Sequence, residues 1–242
     1  MKNVLITGAT SGLGAALAEK YLAEGDRVIA CGRNEVALAP LKQRHGDQVE
    51  TLMFDMTERK AVMAALSGLP ALDIAILNAG TCEYVDVDSF DATLVERVMS
   101  VNFLGAVYCT EALLPSLKKG ARIVYIDSLA RLLPFTRSQA YGASKAALHY
   151  FAHTMEVDLA KRGIHVHTVS PGFVDTPLTR RNTFSMPMLT NPDQAVSAIY
   201  DGLAKGRRAI YFPWLFASLL RLLGMLPGRV QVLLASRMKG SQ

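Results

Sequence analysis

The sequence predicts an α/β chain: a doubly wound parallel sheet with helices on both faces, built as one domain. Three observations predict it. Short apolar runs that read as strands alternate with helix-compatible runs along the chain. A glycine-rich loop joins the first strand to the first helix. No long Pro/Gly/Ser linker or internal repeat divides the 242 residues, a length ample for one large core.

Residues 2–7 read as a short buried strand. Gly8-Ala9-Thr10-Ser11-Gly12-Leu13-Gly14 follows, and the next five residues suit a helix. Strand, glycine loop and helix in this order form the context of a dinucleotide site. The glycines let the backbone turn tightly and approach a pyrophosphate. The helix start offers unpaired N–H groups and a partial positive charge to that anion. These features place the sheet in the Rossmann type.

Residues 27–31 form the second predicted strand, followed by Gly32-Arg33-Asn34. An acidic residue here would grip the ribose 2′-hydroxyl of NAD. The chain offers Arg33 instead, and a guanidinium suits a 2′-phosphate. NADP(H) is therefore the expected cofactor and NAD(H) the alternative. Further strands are predicted at residues 49–54, 72–77, 122–126, 165–169 and 209–212, with right-handed connections.

Tyr141 and Lys145 stand four residues apart in Tyr-Gly-Ala-Ser-Lys, with Ser128 upstream. Residues at i and i+4 share one helix face. A lysine ammonium beside a phenol favours phenolate, so the pairing predicts a Tyr141 pKa below the reference of about 10. Such a tyrosine exchanges protons with an alcohol or carbonyl oxygen.

Together these residues resemble the short-chain dehydrogenase/reductase family in its single-domain form, over about residues 2–212. Thr7 to Gly14 looks like the family's cofactor motif. Asp55 sits where the family contacts adenine. Asn78-Ala79-Gly80 resembles its Asn-Asn-Ala-Gly motif, with Leu77 in place of the first asparagine. Pro171-Gly172, Val174 and Thr176 resemble the segment around the nicotinamide carboxamide. Asn102, Ser128, Tyr141 and Lys145 match the catalytic tetrad. The resemblance implies that Tyr141 acts as acid in reduction and base in oxidation. It implies that Lys145 lowers the tyrosine's pKa and holds the nicotinamide ribose. Ser128 would bond the substrate oxygen, and Asn102 would hold a water in a relay behind Lys145. Asp127 and Arg131 depart from the family pattern. Arg131 reads as a loop charge facing water, while Asp127 fits either a wet loop or the substrate mouth.

The three cysteines, Cys31, Cys82 and Cys109, are scattered and give no disulfide framework or metal spacing, so a reducing cytoplasm is expected. The chain enters its first strand at once, so no signal peptide is expected. His149 and His153 lie at i and i+4, and His165 and His167 alternate on a strand. With no Cys or acidic cluster at ligand spacing, both pairs read as packed or partly wet histidines, and no metal is expected.

Residues 202–242 hold seven basic residues and no acidic one, so the net charge of +5 belongs to this end. Residues 213–242 form an expected C-terminal helical extension to a catalytic domain over 1–212. The extension is apolar and basic, and Pro227-Gly228 should break it into two short helices. Three roles compete: ordinary core packing, a lid that would suit a bulky lipophilic substrate, and contact with an anionic membrane surface. Residues 177–192 occupy the family's substrate loop, and their methionines suggest an adaptable apolar pocket.

The expected activity is NADP(H)-dependent interconversion of a carbonyl and an alcohol on a small, lipophilic molecule. The rival from another class is a non-catalytic NADP(H) sensor or scaffold. No nucleic-acid partner is expected. The family's habit is a homodimer or homotetramer built on the helices around Asn102 and Tyr141.

Overall fold

Alternation along β1 (Asn3–Thr7) sorts its side chains onto two buried faces. Val4 and Ile6 join one apolar cluster and Leu5 the other. The same division continues across β2 (Arg27–Gly32), β3 (Val49–Met53), β4 (Leu72–Leu77), β5 (Leu117–Ile126) and β6 (His165–Pro171), while β7 (Ala209–Phe212) adds Ile210 and Phe212 to the Val4-face cluster. The computed structural model describes residues 1–237. All seven strands pair in parallel, in the order β3-β2-β1-β4-β5-β6-β7.

Both faces must be covered, because a parallel sheet is apolar on each. Helices α1 (Gly12–Ala23), α2 (Glu35–His45) and α7 (Pro192–Ala204) cover the Val4 face. Helices α3 (Arg59–Leu66), α5 (Gly105–Leu113) and α6 (Gln139–Leu159) cover the Leu5 face. Helix α4 (Ala92–Met99) runs into α5 through a π-helical turn, Ser100–Leu104. The strand order reverses between β1 and β4, and this reversal opens a crevice at their C-terminal ends.

The fifth strand begins at Leu117, five residues earlier than the apolar run at 122–126 suggests. Lys118, Lys119 and Gly120 are exposed there, so the start of the strand carries no apolar pattern. The sixth strand likewise runs on to Pro171.

Beyond β7 come α8 (Trp214–Gly224) and α9 (Gly228–Arg237), separated at Pro227. Helix α8 buries Ala217 and Leu220 against Leu129 and Leu133. The tail therefore rests on the segment that follows Ser128. Met238 and Lys239, also assigned to the tail, lie outside the described residues.

Candidate active site

Thr7 closes the crevice. Its hydroxyl accepts from the backbone N–H groups of Asn78 (3.0 Å) and Ala79 (3.1 Å), while the Asn78 amide donates to the Thr7 carbonyl at 3.0 Å. These bonds tie the loop after β1 to the loop after β4. Gly8 (φ +69°) and Gly12 (φ +54°) adopt the left-handed region that favours glycine. Gly14 serves a different need: a Cβ there would stand 2.3 Å from the Gly8 carbonyl oxygen and 2.5 Å from the Asn78 amide nitrogen. Ser11 caps α1 without a side-chain bond, so its hydroxyl does not occupy the N–H groups of the first turn. Leu13 packs back onto the Val4-face cluster. Thr10 lies so close to Gly32 that a Cβ there would meet it at 2.3 Å. This cradle fits a dinucleotide pyrophosphate.

Arg33 and Asp55 meet at the rim. A guanidinium nitrogen of Arg33 donates to Asp55 at 3.2 Å, and the arginine side chain remains 71% exposed. Asp55 also accepts from the backbone and hydroxyl of Thr57. Burial acts to raise its carboxyl, but these bonds and Arg33 outweigh that and hold it below the ordinary value.

Thr176 covers the loop, its Cβ 3.2 Å from where a Gly12 Cβ would be. Pro171 ends β6, Gly172 donates to the Phe212 carbonyl at 2.8 Å, and Val174 bridges to Thr190.

Ser128 lies just past the end of β5, its oxygen accepting from Ala130 N–H at 3.1 Å. Tyr141 is in the first turn of α6, and Lys145 follows one turn later. The Lys145 ammonium lies 5.9 Å from the centre of the Tyr141 ring and donates to the Ile126 carbonyl at 2.8 Å. Gly80 leaves room for it: a Cβ there would sit 3.3 Å from Lys145 Nζ and 3.1 Å from Asn102 Oδ1.

The expected fall in the tyrosine's pKa is not what the geometry produces. Burial raises the Tyr141 phenol well above its ordinary value, with Cys82 adding to the rise and a hydrogen bond from Ser128 opposing it. Lys145 is itself buried, and desolvation lowers it to about 8 against the pull of Asp127 and Cys82. The loss of water around the buried lysine and the half-buried tyrosine outweighs their mutual influence.

Asn102 is also more committed than a relay residue. Its side-chain oxygen accepts from Thr81 N–H (2.7 Å), and its amide donates to the Thr81 carbonyl (2.9 Å) and the Ser144 hydroxyl (2.9 Å). Ser144 in turn donates to the Tyr141 carbonyl at 2.8 Å. The side chain thus fastens the loop after β4 to the helix bearing Tyr141.

Arg131 does not face water. Its side chain is 9% exposed, and it pairs with the fully buried carboxylate of Asp127 at 3.2 Å. It also donates to Ser170 and Tyr211, each at 3.3 Å. A small loop lets the guanidinium fold inward only because Asp127 supplies the opposite charge there. His149 contacts the same Asp127 oxygen at 2.6 Å and His153 at 3.0 Å, so this pair forms a hydrogen-bonded chain. His165 is exposed, whereas His167 is buried and bonds the Arg207 carbonyl at 2.8 Å. Among the described residues, no group of three or more His, Cys, Asp or Glu is placed to hold a metal.

Sequence reasoning gave no role to Ser144, Thr81 or the Ile126 carbonyl. Backbone acceptors carry no residue signal, and Ser144 lies within the Tyr141–Lys145 spacing without marking itself.

The sequence matches the short chain dehydrogenase family over residues 2–185. It is 34% identical over 235 residues to an uncharacterized oxidoreductase of Myxococcus xanthus, the match covering 93% of each chain. It is 34% identical over 186 residues to the serine 3-dehydrogenase of Rhizobium radiobacter, covering 73% of each. A short chain dehydrogenase structure from Burkholderia cenocepacia in complex with NADP superimposes with a TM-score of 0.85 at 26% identity, over 99% of this chain and 98% of that one.

Proposed function

The chain belongs to the short-chain dehydrogenase/reductase family of oxidoreductases, and from that premise we propose that it interconverts a carbonyl and an alcohol using NADP(H). The observation that carries this reading is the convergence of Ser128, Tyr141 and Lys145 beside a glycine cradle. The reduced nicotinamide supplies the hydride when bound.

The chain's own residues supply position and protons. Hydride arrival at a carbonyl carbon puts negative charge on its oxygen, and the Ser128 and Tyr141 hydroxyls are the donors for it. Burial keeps Tyr141 protonated, which suits an acid in the reductive direction. As the proton leaves, the nearby Lys145 cation stabilises the phenolate that forms. Arg33, exposed at the rim, provides a guanidinium for a 2′-phosphate, and the NADP bound by the Burkholderia relative supports that preference. Asp55 would exchange part of its pairing with Arg33 for the adenosine end.

The substrate is a lipophilic carbonyl compound. Phe184 of the loop at 177–192 meets Tyr84 and Phe173 edge to face, and Phe216 of α8 stacks on Phe173 at 6.2 Å. Arg180 of that loop is held by Asp175 at 2.7 and 3.2 Å. Tail helix α8 therefore acts as part of the lid. The exposed Leu104, Tyr150 and Val157 between α4 and the end of α6, with Phe90 just before α4, support a homo-oligomer built on those helices. No helix among the described residues is long and apolar enough to cross a membrane. The free thiols Cys31, Cys82 and Cys109 support a cytoplasmic setting.

Following NADPH oxidation with aldehydes and ketones of graded chain length tests the reading, with serine oxidation by NADP+ as the comparison. Turnover that rises with chain length supports it. Tight NADPH binding with no turnover on any of them favours the sensor.

A further inference from the structure

Helix α8 is apolar on both sides. Its inward side packs on Leu129 and Leu133 through Ala217 and Leu220. Its outward side presents Trp214, Leu215, Leu219 and Leu222, and Met225 and Leu226 follow just past its end, all between 36% and 75% exposed. Positions 215, 219 and 222 recur at helical spacing, so they form one stripe. Helix α9 adds two more exposed apolar residues, Val232 and Leu233, both more than half exposed. An apolar surface of this size on a folded chain marks an interaction site.

The charges decide what covers it. Arg221, Arg229 and Arg237 are exposed along the same two helices, and residues 202–242 contain no Asp or Glu. A two-fold contact between copies of this surface would bring arginines against arginines with no acid on either side. An anionic layer satisfies both the apolar stripe and the cations. Trp214, 73% exposed at the start of α8, suits a lipid–water boundary. Leu222 and Met225 also border an open cavity of about 780 Å³, shared with Arg131, His149, Tyr211 and Arg221. Arg221 stacks on Tyr211 at 4.7 Å, which fixes one guanidinium at the edge of the stripe.

We propose that the outward face of α8 and α9 docks on an anionic lipid surface, apolar stripe down, with the Arg221-lined cavity facing the headgroups. This goes beyond the reductase reading and does not depend on turnover.

Co-sedimentation of the full chain with phosphatidylcholine vesicles, with and without phosphatidylglycerol, tests it. The chain should pellet with the anionic vesicles and stay in solution with the neutral ones. Leu219→Glu with Leu222→Glu should weaken the partition about tenfold or more. Arg229→Gln and Arg237→Gln should each weaken it about fivefold. Circular dichroism and NADPH binding show whether each variant is folded. Absence from the anionic pellet, or equal sedimentation with both vesicle types, overturns the proposal. So does sedimentation-velocity evidence that the leucine variant breaks a dimer while the full chain binds neither vesicle. None of these results bears on hydride transfer, so failure here and failure of the reductase reading are separable.

Discussion

Asp127 and His149 are joined at 2.6 Å, across the gap between the end of β5 and the middle of α6. The same carboxylate oxygen pairs with Arg131, while its other oxygen is buried without a hydrogen-bond partner among the described residues. One buried carboxylate thus binds the helix of Tyr141 and Lys145 to the turn after Ser128. Asp127→Asn keeps the shape and removes the charge, leaving Arg131 unpaired in a buried place. The expected loss is about 3 kcal/mol of unfolding free energy in urea. A change below about 0.5 kcal/mol would show that the pair holds nothing together.

Tyr141→Phe removes the hydroxyl and keeps the ring. We expect kcat for carbonyl reduction to fall about 10²-fold or more, with the NADPH dissociation constant little changed. Near-normal turnover would remove Tyr141 from the proton-transfer step.

Lys145 titrates at about 8, because burial disfavours its charged form. A lysine loses its charge as pH rises past its pKa, so the cation supporting the phenolate is present below about 8 and lost above it. Tyr141 stays protonated throughout that window, its own value being raised. The rate of reduction should therefore fall as pH climbs through about 8, measured by NADPH oxidation across a buffer series. A profile flat through about pH 8 contradicts the assignment.

Arg33 should set cofactor choice. Charge-assisted bonds to phosphate are worth about 1.5–3 kcal/mol, so Arg33→Ala should raise the NADPH dissociation constant about 10- to 100-fold. NADH binding should change little in the same fluorescence titration. Equal losses for both cofactors would place Arg33 away from the 2′-phosphate.

Gly14→Ala inserts a Cβ only 2.3 Å from the Gly8 carbonyl oxygen. The backbone of the loop must move, and about 1–3 kcal/mol of stability should be lost along with most NADPH affinity. Thermal melting and titration check the two effects. Wild-type behaviour in both would mean that the loop is looser than its contacts indicate.

The parallel sheet, the glycine cradle and the Tyr141–Lys145 face were legible in the sequence because each is a local pattern. Apolar runs mark strands, glycines mark turns that other residues cannot make, and a spacing of four marks a helix face. Local patterns say nothing about water. Whether Tyr141 gains or loses acidity depends on how deeply it and Lys145 are desolvated, and that follows from packing between β4, β5 and α6. Arg131 looks like any surface arginine until the fold brings a buried carboxylate beside it. Asn102 likewise matches its motif by sequence, yet its bonds to Thr81 and Ser144 exist only once three segments meet. Residue identity and spacing determined which groups this protein has for its chemistry. Tertiary structure alone decided their charge state and their partners, because desolvation and ion pairing act between segments distant in the chain.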